Sequence, residues 1–167
     1  MDSSVKKTAL RMIENGVFVL TTKSGEECFG STVTFVSQTS FEPPLIVMAL
    51  RTDSGIYQAV KSSLKYALHM LGRDQQNFAS AFFKSSVFDE STINGQSYTM
   101  SALGCPILDE AIAFVECKVL EVVEQGDHHI IISEVIEAEV RSDEPALSIR
   151  DTDWSYGGRC WSKAKYQ

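Results

Sequence analysis

The stretch Ser31-Thr32-Val33-Thr34-Phe35-Val36-Ser37-Gln38-Thr39-Ser40 holds six hydroxyl side chains in ten residues and runs through Phe41-Glu42 into Pro43-Pro44. Hydroxyls and backbone N–H groups in such a segment can satisfy the polar rim of a planar ligand. The prolines fix φ at its exit. The same composition also fits an ordinary Ser/Thr-rich connection. Further on, Arg51 follows an apolar run and Ser54 stands at a predicted helix start. A guanidinium beside helix N–H groups makes a local anion site, although Arg51 fits equally well as a solvated charge at a strand end. A third candidate is His128 in Gln125-Gly126-Asp127-His128, followed by His129. An imidazole at a turn is by default a surface residue, and either ring can point inward.

Composition narrows the chemistry. The chain has 167 residues, 44% hydrophobic and 22% charged, with a formal charge of −7. That length suits one domain with a real core. The acidic balance disfavours a nucleic-acid surface, which needs clustered Lys and Arg, so any phosphate site must be local. No apolar run reaches the roughly 20 residues of a membrane helix. The polar start Met1–Lys7 is unlike a signal peptide, and Cys28, Cys105, Cys117 and Cys160 form no CxxC pair and no metal spacing to His69, His128 or His129. These features point to small buried thiols in a cytoplasmic protein without a metal. Gly-x-Ser-x-Gly, Walker and GxGxxG signatures are missing.

The elements that would position the candidates are mostly β. Ser3 and Ser4 can cap a helix over Val5–Glu14 that stops at Asn15-Gly16. Val17–Thr22 and Glu27–Phe35 read as a hairpin across Lys23-Ser24-Gly25-Glu26. Leu45–Leu50 is a continuous apolar run, which suits a strand buried on both faces. Ser54 opens a helix through Ser62 with Ile56, Tyr57 and Val60 on one side. Tyr66–Leu71 reads as a strand, and Gln75–Phe83 as a helix with Phe78, Ala79, Phe82 and Phe83 on its apolar face. Lys84–Leu103 reads as irregular. Ala113–Glu124 and His129–Arg141 are long strands, the second with one mainly apolar face, Ile130, Ile132, Ile136, Ala138 and Val140, as at a barrel wall. About six strands with short helices suggest an antiparallel barrel. The aromatic tail with Trp154, Tyr156 and Trp161 is expected to pack on this subunit or a partner.

Four ordered motifs make the chain resemble the flavin reductase-like proteins with an FMN-binding split barrel. Gly30, Thr32, Thr34, Ser40, Pro43 and Pro44 fall on that family's first signature. Arg51-Thr52-Asp53-Ser54 stands where its phosphate loop lies, Gln75-x-x-Phe78-Ala79-x-x-Phe82 is similar to its Gln-x-x-Leu-Ala-x-x-Phe helix, and Gly126-Asp127-His128 to its Gly-Asp-His turn. The resemblance runs from about Val5 to Gly158. It implies a mainly β fold with short helices, an antiparallel split β-barrel, forming one FMN-binding domain over residues 1–167.

The resemblance further implies an NAD(P)H-dependent flavin reductase that passes hydride from nicotinamide to FMN, with FAD as an alternative flavin. Ser31, Thr32, Val33, Thr34, Ser37, Ser40, Arg51, Ser54 and Tyr57 would bind the flavin, and His128 would orient the nicotinamide. The expected assembly is a homodimer, with a monooxygenase or an electron-transfer protein consuming the electrons. An FMN-binding electron carrier and a split-barrel module without flavin turnover are the rival readings. Thr34, Phe35 and Gln38 depart from the family's small residues at the flavin-facing loop, and Arg150-Asp151-Thr152-Asp153-Trp154-Ser155-Tyr156-Gly157-Gly158 replaces its late Arg- and Tyr-containing motif. Trp154 or Tyr156 can then cover the flavin or fill a dimer core.

Overall fold

The computed structural model describes residues 1–154. Ten strands and three α-helices are present among them: α1 Ser3–Leu10, β1 Phe18–Ser24, β2 Glu27–Val33, β3 Val36–Ser40, β4 Leu45–Arg51, α2 Gly55–Ser63, β5 Lys65–Met70, α3 Gln76–Ser80, β6 Thr92–Ile93, β7 Gln96–Met100, β8 Pro106–Leu108, β9 Ala113–Val123 and β10 His128–Val140. A 3₁₀ turn over Ile149–Asp151 follows. No helix of the described residues is long and apolar enough to cross a membrane.

Seven strands form one antiparallel sheet in the order β2-β1-β5-β9-β10-β4-β3. Its two edge strands are consecutive in the chain, separated only by Thr34 and Phe35. A linker that short spans at most about 11 Å, so the sheet must curl until its edges meet at this corner. The edge strands β2 and β3 are not paired with each other, and the curled sheet is a split barrel.

Period-2 alternation gives the curled sheet apolar rows on both faces, and a smaller cluster of Ala67, Cys105, Ile107 and Phe114 lies beside the two main ones. Leu20, Met48, Tyr66, Leu68 and Ile131 fill the interior with Ile56, Tyr57 and Val60 of α2. Val17, Val19, Cys28, Leu71, Phe78, Phe82, Ile93 and Leu108 pack on the other side, under α3 and β6–β8. His69 joins three strands across this second region: Nδ1 donates to Val19 O at 2.9 Å and Nε2 accepts from Leu108 N at 3.0 Å.

Several expectations change. Helix α1 is capped by Asp2, whose Oδ1 accepts from Ser4 N and Val5 N, and it ends at Leu10 rather than Glu14. None of its residues is buried, so no packing extends it. Gly16 bridges to Ser148 instead of stopping a helix. Strand β4 alternates buried Ile46, Met48 and Leu50 with half-buried Leu45, Val47 and Ala49, because its second face has no layer over it among the described residues. On β10 the mainly apolar row faces outward: Ile131 and Ser133 are buried, while Ile130 and Ile136 are 39% and 44% exposed. The 84–103 segment is partly ordered, since Asn94 and Gly95 take φ of 53° and 80° and close the β6–β7 hairpin. Helix α3 is a short turn, and Phe83 leaves its apolar face to meet Trp154 edge-on at 4.6 Å. Tyr156, Cys160 and Trp161 lie outside the described residues; Cys28, Cys105 and Cys117 are buried and free.

Candidate functional site

At the corner where β2 meets β3, a shallow depression of about 90 Å³ is lined by Ser31–Phe35, Ala49–Arg51, Ser54, Ile56 and His128. Each wall has a local cause. Gly30 brings β2 against Phe82, because a Cβ there would meet the ring at 2.7 Å. Thr32 Oγ1 donates to Ala79 O at 2.6 Å, and Thr32 N to Phe82 O at 3.3 Å. Gln75 anchors the approach to α3, accepting from Gly72 N and donating to Glu110 O. The first and third motifs therefore hold each other, and the Thr32 hydroxyl is spent on α3.

The second and fourth motifs also meet. Arg51 and His128 are direct register partners on β4 and β10. Thr52 N donates to Asp127 O at 3.1 Å, fastening the 51–54 loop to the turn in which Gly126 takes φ 79°. Ser54 caps α2, its Oγ accepting from Tyr57 N and donating to Arg51 O at 2.6 Å. The Gly55 and Ile56 amides sit in the first turn, where helix geometry provides no intrahelical acceptor. Arg51 forms a bidentate pair with Asp53, Nε to Oδ1 at 3.0 Å and NH2 to Oδ2 at 2.6 Å. Hydrogen bonding from Arg51 holds the Asp53 carboxyl below the usual carboxylate range.

His128 opens β10 rather than standing free on a turn. Its ring meets Phe35 edge-on at 5.5 Å, and its Nδ1 lies 2.9 Å from Asp127 Oδ1. Hydrogen bonding from His128 lowers the Asp127 pKa, so the carboxylate is ionised and accepts, which places a proton on Nδ1. His129 turns to the opposite face, with Nδ1 2.7 Å from the Tyr57 hydroxyl.

The depression thus gathers Ser31, Thr32, Val33, Thr34, Arg51, Ser54 and His128. Ser37 and Ser40 lie on β3, outside its lining. Tyr57 is 3% exposed and engaged with His129. Phe35, which the sequence marks only as a departure, becomes a wall, and Asp53 emerges as the partner of Arg51. Trp154 packs with Phe83 and is not part of the lining.

FMN has a flat, largely apolar ring system, a polar ribityl chain and an anionic phosphate. The residues present fit such a group: Val33, Phe35, Ala49, Leu50 and Ile56 line the depression with apolar surface, and Arg51 and the first amides of α2 offer donors that an anion could use. Thr34 Oγ1 is buried without a hydrogen-bond partner among the described residues, a polar group left for a ligand to satisfy. Among the described residues no cluster of His, Cys, Asp and Glu is arranged to hold a metal. A larger, more open hollow of about 390 Å³ lies at the β1–β2 hairpin. It contains none of the candidate residues.

Residues 10–153 match the flavin reductase-like domain. The chain is 30% identical over 142 residues to an NADH:FMN oxidoreductase of Rhodococcus qingshengii, covering 85% of this chain and 73% of that protein. It is 24% identical over 147 residues to the reductase component of a 4-nitrophenol 4-monooxygenase/4-nitrocatechol 2-monooxygenase of Rhodococcus opacus, covering 87% and 76%. Among solved structures, the NADH:FAD oxidoreductase of Streptomyces globisporus, in complex with NAD and FAD fragments, superposes with a TM-score of 0.74 at 25% identity, covering 89% of this chain and 90% of that one.

Proposed function

The chain belongs to the flavin reductase-like family, and from that premise we propose that it is an NAD(P)H-dependent flavin reductase, residues 1–167 acting as one FMN-binding domain. The observation that carries this reading is the fastening of Arg51–Ser54 to Asp127-His128, which brings a guanidinium, the start of α2 and an imidazole to one depression.

Bound FMN, with FAD as an alternative, supplies the centre that accepts hydride from the nicotinamide. Hydride transfer needs no protein acid or base, so the protein's contribution is placement and exclusion of water. Arg51, Ser54 and the first amides of α2 hold the phosphate. Val33, Thr34 and Phe35 border the ring, the Thr34 hydroxyl gaining the partner it lacks. His128, clamped between Asp127 and Phe35, orients the nicotinamide at the mouth.

The assembly we infer is a homodimer. The outward faces of β4 and β10 pair Ala49 with Ile130 and Val47 with Ile132, an apolar strip continuous with the depression through Ala49. Such a strip marks an interface, and light scattering of the purified protein measures it. Buried free thiols support a cytoplasmic setting, and the reductase-component relative supports a monooxygenase as the consumer of reduced flavin.

The test is an anaerobic titration of the FMN-loaded protein with NADH and then NADPH. Bleaching of the flavin band, with turnover on added FMN, is the expected result. Tight FMN that no pyridine nucleotide reduces would overturn it in favour of an electron carrier. Failure to bind any flavin would overturn both.

A further inference from the structure

The anion site carries its own anion. Asp53 stands between Arg51, the cation at the end of β4, and Ser54, the cap of α2. Its carboxylate takes one edge of the guanidinium, accepting from Nε and from Nη2. That two-point geometry is the one a phosphate would use on the same guanidinium. We propose that Asp53 is an internal competitor for the flavin phosphate, weakening phosphate-bearing flavins so that FMN exchanges rather than staying locked in the protein. This rests on the flavin-reductase reading above and adds a specificity residue to it.

Two effects act together. A phosphate reaching the α2 N-terminus must share the guanidinium with Asp53 or displace the carboxylate from that edge, and it must sit near a second negative charge. Asp53 is ionised at neutral pH because the hydrogen bond from Arg51 favours its charged form. Both effects fall on the phosphate and neither on the ring system, so riboflavin, which lacks the phosphate, is indifferent to them. The pair is also exposed, with side chains 61% and 67% accessible, so it can open at modest cost and the competition tunes affinity without abolishing it. Release of flavin after reduction is what a protein feeding a separate acceptor requires.

The test is fluorescence titration of wild type, Asp53→Asn, Arg51→Ala and the double variant with FMN and with riboflavin at low ionic strength. Asp53→Asn is expected to tighten FMN about two- to tenfold, the scale of an exposed ion pair plus one removed like charge. Riboflavin affinity should stay unchanged. In the Arg51→Ala background the gain should shrink to less than half of its wild-type logarithm, since the fork is no longer there to be released. Unchanged or weakened FMN binding by Asp53→Asn, with wild type binding FMN normally, overturns the competition and leaves the reductase reading intact. Equal tightening of riboflavin, or a full gain without Arg51, overturns it too. Failure of wild type to bind either flavin removes both inferences together. Because Asp53 is exposed, its substitution does not threaten the fold.

Discussion

The Tyr57 hydroxyl lies 2.7 Å from His129 Nδ1, joining the first turn of α2 to the residue after His128. The two rings also meet edge-on at 5.3 Å. Ser54, which caps α2, is thereby held at a fixed distance from the His128 wall. Tyr57→Phe keeps the packing and removes only the hydroxyl. We expect it to cost about 1 kcal/mol of stability, the net value of one hydrogen bond, measured by urea unfolding. FMN affinity should fall a few-fold with it, because the helix end loses a restraint. An FMN affinity that is untouched would show that the pair supports the fold alone.

Arg51→Ala should discriminate between flavins. A hydrogen bond to a charged group is worth about ten- to a hundredfold in binding, and riboflavin cannot make it. FMN affinity is expected to drop by about that factor while riboflavin affinity holds, both read by fluorescence quenching. Equal loss for the two flavins would move Arg51 from the phosphate to the shape of the pocket.

His128→Ala removes the ring that Phe35 and Asp127 clamp. Stopped-flow reduction of the FMN-loaded protein should show a higher nicotinamide requirement and slower hydride transfer, with FMN affinity nearly preserved. His128→Gln, which retains a donor, should recover part of the loss. Intact reduction in His128→Ala would leave the imidazole without an orienting role.

Most of the candidate site's lining was legible because its motifs also serve packing. Gly30 and Phe82 stand far apart in sequence yet touch, and Arg51 and His128 are direct register partners, so residue types chosen for close approach are visible in the chain. The α2 cap at Ser54 was readable for the same local reason. What stayed hidden depends on which face a strand presents. Continuous apolar runs on β4 and alternation on β10 do not state which row meets the core; the sheet's curl and the bulges of the β9–β10 pairing decide it. Tyr57 illustrates the same limit, since its helical face could be read but not the His129 partner that claims its hydroxyl. The Asp53 ion pair was equally invisible, because two residues' separation says nothing about side-chain direction.

Gly30→Ala tests the contact between the first and third motifs. The new methyl carbon would lie 2.7 Å from two atoms of the Phe82 ring, well inside contact distance, and Phe82 is 1% exposed and cannot swing into solvent. A loss of about 1–3 kcal/mol is expected, the usual cost of overpacking, measured by thermal or urea denaturation. Phe82→Leu in the same chain should recover part of it. A Gly30→Ala protein as stable as wild type would mean that α3 yields without cost.

His69 gives the fold a pH dependence of its own. It is fully buried, and burial, with a smaller push from Arg141, lowers its pKa from 6.5 to about 4 against the opposing hydrogen bond to Val19 O. The geometry agrees: Leu108 N–H points at Nε2, so this nitrogen must accept and the proton must sit on Nδ1. A second proton would set N–H against N–H in the core. Between pH 6.5 and about 4 the unfolded chain binds a proton that the folded chain refuses. Stability is therefore complete above pH 6.5 and falls as pH drops through that window, by on the order of 3 kcal/mol from this residue. Urea unfolding across the window, for wild type and His69→Gln, measures it. The variant starts less stable at neutral pH, having lost the three-strand junction, but its stability should decline less steeply with acid. Parallel slopes in the two proteins would assign the acid sensitivity to other groups.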